Sequence, residues 1–294
     1  MKLRKLLLGI NAIKGYAYKL LVDIHVLSIP NMKPQSGDGI VVSLTSYGRR
    51  VRTSVVFYTL VSLLRQKRQP DRIVLWLASE EWNDDTLPYK LKIIKQKGVE
   101  ILYCEDIKSY KKLIPSLREF HGCTIVTVDD DVIYSKDTIQ AMLVEHNKYP
   151  RDIICTVARK PLIIDGVPMC YSEWDDSLLE SFEHGYNSVF LFPVGVGGVL
   201  YPSGSLHNDV LDDSIFLQYC PTADDIWFWF CGLRNNTTKR YIVKSGKDFS
   251  FDALYQYLHR GAALTHSNCA LHQNDAQIKR LFEYYHYKIG KVYE

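Results

Sequence analysis

Residues 125–134 read IVTVDDDVIY, an apolar β-branched run that ends on three consecutive carboxylates, Asp129, Asp130 and Asp131. Ile, Val and Thr in a short run read as a buried strand. Adjacent carboxylates repel one another and are expensive to desolvate without partners, so a positive group is expected to meet them. A divalent cation bridging to a diphosphate would serve, because Mg²⁺ and Mn²⁺ accept one or two carboxylates together with phosphate oxygens. The plain alternative is a solvated loop or helix start, since Asp131 precedes VIYSKDTIQ and acids suit helix starts.

Outward from this stretch the chain alternates strands and helices. Hydrophobic patterning predicts strands at 40–45, 72–78, 99–104, 124–128 and 152–158, and helices at 52–66, 88–97, 109–120 and 136–148. Short β-branched runs separated by helices of this kind predict an α/β fold, a mostly parallel sheet covered by helices on both faces. Ligands of such sheets sit beyond the carboxyl ends of the strands, which is where Asp129–Asp131 fall.

The 294 residues, 47% hydrophobic and 23% charged, suffice for a sizeable core. A net charge of +3 is too mild to point to nucleic acid as a partner. The seven cysteines show no CxxC pair and read as reduced thiols of a cytoplasmic protein. GxSxG, GxxxxGK[ST] and GxGxxG are absent, which disfavours hydrolase, P-loop kinase and dinucleotide-dependent chemistry.

Charge is concentrated at the N-terminus, where residues 1–34 hold six Lys or Arg and one acid, Asp23. Apolar residues at 3, 6, 7, 10, 13, 17, 20, 21 and 24 have helical spacing, with Lys2, Arg4, Lys5, Lys14 and Lys19 between them. Lys14, Lys19 and Asp23 interrupt it before the roughly 20 apolar residues of a membrane span. A helix packed on the domain and a helix lying on an anionic membrane surface are both open readings. SIPNMKPQSGDG (28–39) follows as a linker.

The segments VVSLTSYGRR (41–50), QPDRIVLWLA (69–78), VEILYCEDIKSYKKLIPSL (99–117) and IVTVDDDVIY together resemble bacterial GT-A glycosyltransferases. They are most similar to the family-2-like enzymes encoded with capsule and O-antigen genes. The resemblance covers residues 39–232, with a weaker echo in NDAQIKRLFEY (274–284). It implies a Rossmann-like GT-A domain at 35–294, with a nucleotide-binding part at 39–160 and an acceptor or catalytic part at 161–294. The implied activity is metal-dependent transfer of a sugar from a nucleotide-diphosphate donor, expected to be a UDP-sugar, to a lipid-linked or polysaccharide acceptor. Mn²⁺ or Mg²⁺ is the implied cofactor, and the cytoplasm, at the inner face of the membrane, the implied location.

The same resemblance assigns roles. Thr45 and Ser46 would hydrogen-bond the nucleotide, Tyr47 would stack on its base and Arg49 would meet a phosphate, Arg being suited to phosphate oxygens. A solvated helix start is the alternative for Arg49, Arg50 and Arg52. Asp106 would read the base, with Glu105 an equal candidate, and Lys111 and Lys112 would neutralise the diphosphate. Asp129 falls to the ribose side and the metal, Asp131 to the metal, and Asp130 to the nucleotide sugar.

CPTADDIWFWF (220–230) supplies a second acidic cluster, either a helix cap or the general base that sugar transfer with inversion requires. Asp225 is preferred over Asp224 as that base. FPVGVGGVLYPSG (192–204), centred on Gly197 and Gly198, resembles the donor-sugar and acceptor loop. Trp174, Asp175 and Asp176 mark a possible sugar-binding region or a surface insertion, and His266 or His272 a further metal ligand. A nucleotidyltransferase making a nucleotide sugar and a non-catalytic membrane-surface scaffold are the competing classes.

Overall fold

The structure, a computed structural model, describes residues 2–33, 39–176, 182–244, 248–250 and 273–290. Its strands form where the β-branched runs lie. β1 (Ile40–Thr45), β2 (Arg72–Ala78), β3 (Glu100–Cys104) and β4 (Thr124–Thr127) pair in parallel. β5 (Ile153–Cys155), β6 (Asn187–Ser188), β7 (Val199–Tyr201) and β8 (Lys239–Tyr241) complete an eight-stranded sheet of order β6-β8-β5-β7-β4-β1-β2-β3. β7 is antiparallel to both β4 and β5, and β6 to β8, while β8 runs parallel to β5. The result is a mixed, mostly parallel, Rossmann-like sheet.

Helices cover both faces: α1 (Lys2–Ile24), α2 (Gly48–Arg52), α3 (Val55–Leu64), α4 (Tyr89–Gln96), α5 (Ile114–Glu119), α6 (Thr138–Lys148), α7 (Asp213–Tyr219), α8 (Asp224–Arg234) and α9 (Gln273–Tyr284). β1 shows how the sheet divides two cores. Ile40, Val42 and Leu44 pack with α3, α4 and α6, while Val41 faces the opposite way, towards α5, α8 and α9. This is the two-residue alternation of a strand buried on both sides. α3, apolar nearly all round, is buried along its whole length.

Three predicted elements are broken, each with a local cause. The helix expected over 52–66 is two helices, because Ser54 adopts a left-handed conformation (φ 57°) between α2 and α3. The helix expected over 109–120 is a 3₁₀ turn, Lys108–Lys112, followed by α5, with Pro115 in the first turn of the latter. Proline lacks an N–H and disfavours helical geometry in the residue before it. The strand expected over 152–158 leaves the main sheet after Cys155; residues 158–160 join a three-stranded sheet instead. Gly197 packs at that departure, where its carbonyl accepts the Thr156 hydroxyl at 2.7 Å.

Strands from both halves of the chain share the main sheet, β7 lying directly beside β4. Consequently the Gly-rich segment before β7 and the acids after β4 end up adjacent. Among the described residues no helix is long and apolar enough to cross a membrane.

Candidate functional site

The register of β1 on β4, Ser43 opposite Thr127, brings residues 46–50 alongside Asp129–Asp131 at the carboxyl edge of the sheet. Ser46 Oγ donates to Asp130 Oδ2 at 2.5 Å. The Arg50 guanidinium forks across two acids, with Nη1 2.5 Å from Asp130 Oδ1 and Nη2 3.0 Å from Asp131 Oδ2. Thr59 of α3 donates to the Asp130 carbonyl at 2.9 Å. Asp130 is buried, and burial pushes its carboxyl up against the pull of Arg50 and Ser46. Part of the positive charge demanded by the triple acid is therefore supplied by the chain itself.

Arg50, rather than Arg49, turns towards these carboxylates; Arg49 is exposed on α2. Tyr47 is half exposed, with the Arg50 guanidinium 5.7 Å from its ring centre. The Thr45 hydroxyl donates to the Trp76 carbonyl at 2.9 Å, so both hydroxyls of this loop point into the protein.

The 3₁₀ turn Lys108–Lys112 carries the second positive group. Tyr110 bolts the turn down: its hydroxyl donates to the Cys220 carbonyl at 2.5 Å and its ring stacks on Phe216 at 4.1 Å. The two lysines that follow it, Lys111 and Lys112, are both buried, whereas Lys108 is exposed. Lys111 pairs with Asp106, which is exposed. Partial burial opposes ionisation of Asp106, but Lys111 and the Lys108 N–H outweigh it and hold the carboxyl below its ordinary value. Lys112 points to the centre of the site, with Nζ 2.7 Å from Asp224 Oδ2, 3.3 Å from Asp225 Oδ1 and 3.4 Å from Asp129 Oδ1. Burial works against its charge, yet Asp224, Asp225 and Asp129 together raise its pKa well above normal. One ammonium thus joins the two acidic clusters of the sequence, which lie almost a hundred positions apart.

The start of α8 is not capped by its acids. Ala223 occupies the cap position without a side-chain bond, and Asp224 and Asp225 stand in the first turn with their carboxylates turned to Lys112. Asp225 Oδ2 accepts the Gly195 N–H at 2.9 Å. Burial first, then the charges of Asp224 and Asp129, push its carboxyl up to about 6, against the opposing pull of Lys112 and the Gly195 N–H. Glycine at 195 permits this close approach: a Cβ there would stand 2.7 Å from Lys112 Nζ and 2.9 Å from Asp225 Oδ1, so both charged groups would have to shift.

Gly197 and Gly198 lie one step further back. A Cβ on Gly197 would meet Thr156 Oγ1 at 2.4 Å, and Gly198 has φ +88° where the chain turns into β7. Tyr134 ties this loop to the acids, its hydroxyl accepting the Asp129 N–H at 2.8 Å and donating to the Val196 carbonyl at 3.1 Å. Arg50, Gly195 and Tyr134 were missed as site residues from sequence. Each stood in a segment already singled out, but one-dimensional spacing does not say which neighbour turns inward.

Other candidates have different surroundings. Trp174 is buried, packs on Phe192 and Trp229, and donates to the Met169 carbonyl at 2.9 Å, so it is a core residue and not a sugar platform. Asp176 is paired with Arg159 at 2.7 Å. His266 and His272 lie outside the described residues.

The donor set can be tested against a divalent cation. Among the described residues no three Asp, Glu, His or Cys side chains converge as a metal cage. Asp129 and Asp131 offer hard carboxylate oxygens at one edge, partly exposed at Asp129. That chemistry suits Mg²⁺ or Mn²⁺ held by one or two carboxylates and completed by a ligand's phosphate oxygens.

No family model matches the chain, and no curated protein matches it. Solved structures that match include a mannosyltransferase from Pyrobaculum calidifontis in complex with GDP-Man and Mn²⁺, at 17% identity and a TM-score of 0.34 over 51% of this chain and 47% of that one. The chain thus spans about half the length of that structure. S. aureus TarS matches at 14% identity and a TM-score of 0.45, over 83% of this chain and 72% of that one. A UTP-bound UGPase from Acinetobacter baumannii matches at 13% and 0.42, over 80% of this chain and 96% of that one. Similarities of this size assign no residue a role.

Proposed function

We propose that this protein is a glycosyltransferase, moving a sugar from a nucleotide-diphosphate donor to an acceptor hydroxyl with inversion. The observation that carries the reading is the placement of Asp129 and Asp225 on one ammonium, that of Lys112, at 3.4 and 3.3 Å. It sets a strand-end carboxylate, where a donor diphosphate would lie, beside a carboxylate suited to act as a base.

In such a transfer the acceptor oxygen attacks the anomeric carbon, its proton goes to the base, and the diphosphate leaves with the electron pair of the broken bond. Asp225 is our base. With its pKa pushed up to about 6 it is ionised at neutral pH yet more basic than an ordinary carboxylate. Gly195 N–H holds one of its oxygens and Lys112 the other, which fixes the direction of its remaining lone pairs.

On the donor side, Tyr47 and Arg49 face outwards to meet base and phosphate, whereas Thr45 and Ser46 shape the loop through their inward hydroxyls. Asp106, held ionised by Lys111, would read the base, with a UDP-sugar the expected donor. Asp129 and Asp131 would hold Mn²⁺ or Mg²⁺, which when bound would offset the charge of the departing diphosphate. The proposed acceptor is lipid-linked or polysaccharide.

A panel of nucleotide sugars incubated with the enzyme and Mn²⁺ tests this. The expected result is release of the nucleoside diphosphate from one donor, slow with water and faster with acceptor. Pyrophosphate release from UTP and a sugar 1-phosphate, with no consumption of any nucleotide sugar, would instead make the chain a nucleotidyltransferase.

A further inference from the structure

Over residues 13–24 the outer face of α1 is apolar, and the inner face packs on the domain. Val22 packs in the core of the domain, as does Ile29 just beyond the helix, and Gly15 on the same side is buried. On the opposite side Ile13, Tyr16, Leu20 and Ile24 recur at helical spacing and are all more than half exposed, and Leu27 continues the stripe at 93% exposure. Apolar side chains on the solvent side of a helix whose other side is already docked signal a further interaction surface.

Charge selects the partner. Lys2, Arg4, Lys5, Lys14 and Lys19 lie on this helix, and its one acid, Asp23, is neutralised by the domain. Lys90 lies 2.6 Å from Asp23 Oδ1, and the Tyr58 hydroxyl donates to Asp23 Oδ2 at 2.9 Å. The helix therefore combines exposed apolar side chains over residues 13–24 with a net positive charge in its sequence. A second copy of such a basic helix would meet it with like charge, whereas an anionic bilayer supplies both an apolar interior and negative headgroups.

We infer that the outer face of α1 docks the protein on an anionic lipid surface. The docked helix shares α3 with the candidate site. Tyr58 of α3 bonds Asp23, and the next residue, Thr59, holds the Asp130 carbonyl. The inference stands whatever reaction the site performs.

The test is flotation of the full chain with phosphatidylcholine vesicles, with and without about one third phosphatidylglycerol, at low and high salt. The wild type should float only with the anionic vesicles and less at high salt. The Leu20→Glu, Ile24→Glu double variant should lose at least about tenfold in partitioning, since burial of two large apolar side chains is replaced by two charges that the surface repels. Its thermal unfolding should match the wild type, because both side chains are more than half exposed. Lys2→Gln, Arg4→Gln, Lys5→Gln should weaken binding and flatten its salt dependence. Failure of the wild type to float, equal flotation of the double variant, or a wild-type dimer that the double substitution dissociates without any vesicle binding would each overturn the inference.

Discussion

Replacing Lys112 by Met preserves most of the side-chain volume and removes only the charge that Asp129, Asp224 and Asp225 share. Three carboxylates would then face one another in a largely buried place. Removing one partner of a buried ion pair costs about 3–5 kcal/mol, so urea unfolding at neutral pH should show a loss of that order. The deficit should shrink on acidification, as protonation relieves the repulsion; an undiminished stability at neutral pH would mean that the acids do not depend on this ammonium. Asp225 makes a second prediction at the same scale. Its folded-state pKa of about 6 lies above the value of about 3.9 expected of an unfolded Asp, so the folded state holds the proton more tightly between those limits. This group's contribution to stability therefore declines as pH rises from about 4 to about 6, and is level above. As a base it must be ionised, so transfer should rise across an acid limb near 6. A pH–rate profile should show that limb in the wild type and lack it in the residual activity of Asp225→Asn.

Elements explain why these residues meet. The break at Ser54 separates a short α2, which carries Arg50 to the acids, from α3, which is wholly buried. A continuous helix could not do both with the same periodicity. Arg50→Met would leave the buried Asp130 with Ser46 but without its counter-charge. We expect a destabilisation of about 3–5 kcal/mol, visible as a lowered denaturation midpoint with little change in the urea m-value. A surface-like effect of a few tenths of a kcal/mol would show that the guanidinium is not fixed there. The first four strands were legible because their β-branched runs are long enough for periodicity to speak, and Asp129–Asp131 were legible as a site because they end one of them. The 3₁₀ turn was less so. KSYKKLIP contains Pro115, which falls in the first turn of α5 after the break, yet apolar spacing alone still read as helix across it. β7 was hidden inside a Gly- and Pro-rich stretch that reads as a loop, and only pairing with β4 and β5 makes it a strand.

At the scale of the molecule the sheet is the reason that chain order and spatial order diverge. β7 and β8, from the second half, continue the sheet begun by β1–β4, and the insertion of β7 beside β4 draws the Gly195 segment against the acidic edge. No spacing rule links residue 112 to 225, because the link is a tertiary one, made through a turn anchored by Tyr110 on the segment before α8. The sequence therefore showed two acidic clusters and a pair of lysines, while the fold shows one lysine between the clusters and the other engaged with Asp106. The claim that rests most heavily on this convergence is that Asp225 takes the acceptor proton. Its most direct test is single-turnover transfer from bound nucleotide sugar by Asp225→Asn and by Asp224→Asn, with donor affinity measured in parallel. The account predicts that Asp225→Asn slows transfer by roughly 10²–10⁴-fold, the range of a lost general base, with donor affinity near wild type and Asp224→Asn affected less. Wild-type transfer by Asp225→Asn, with donor still bound, would contradict it.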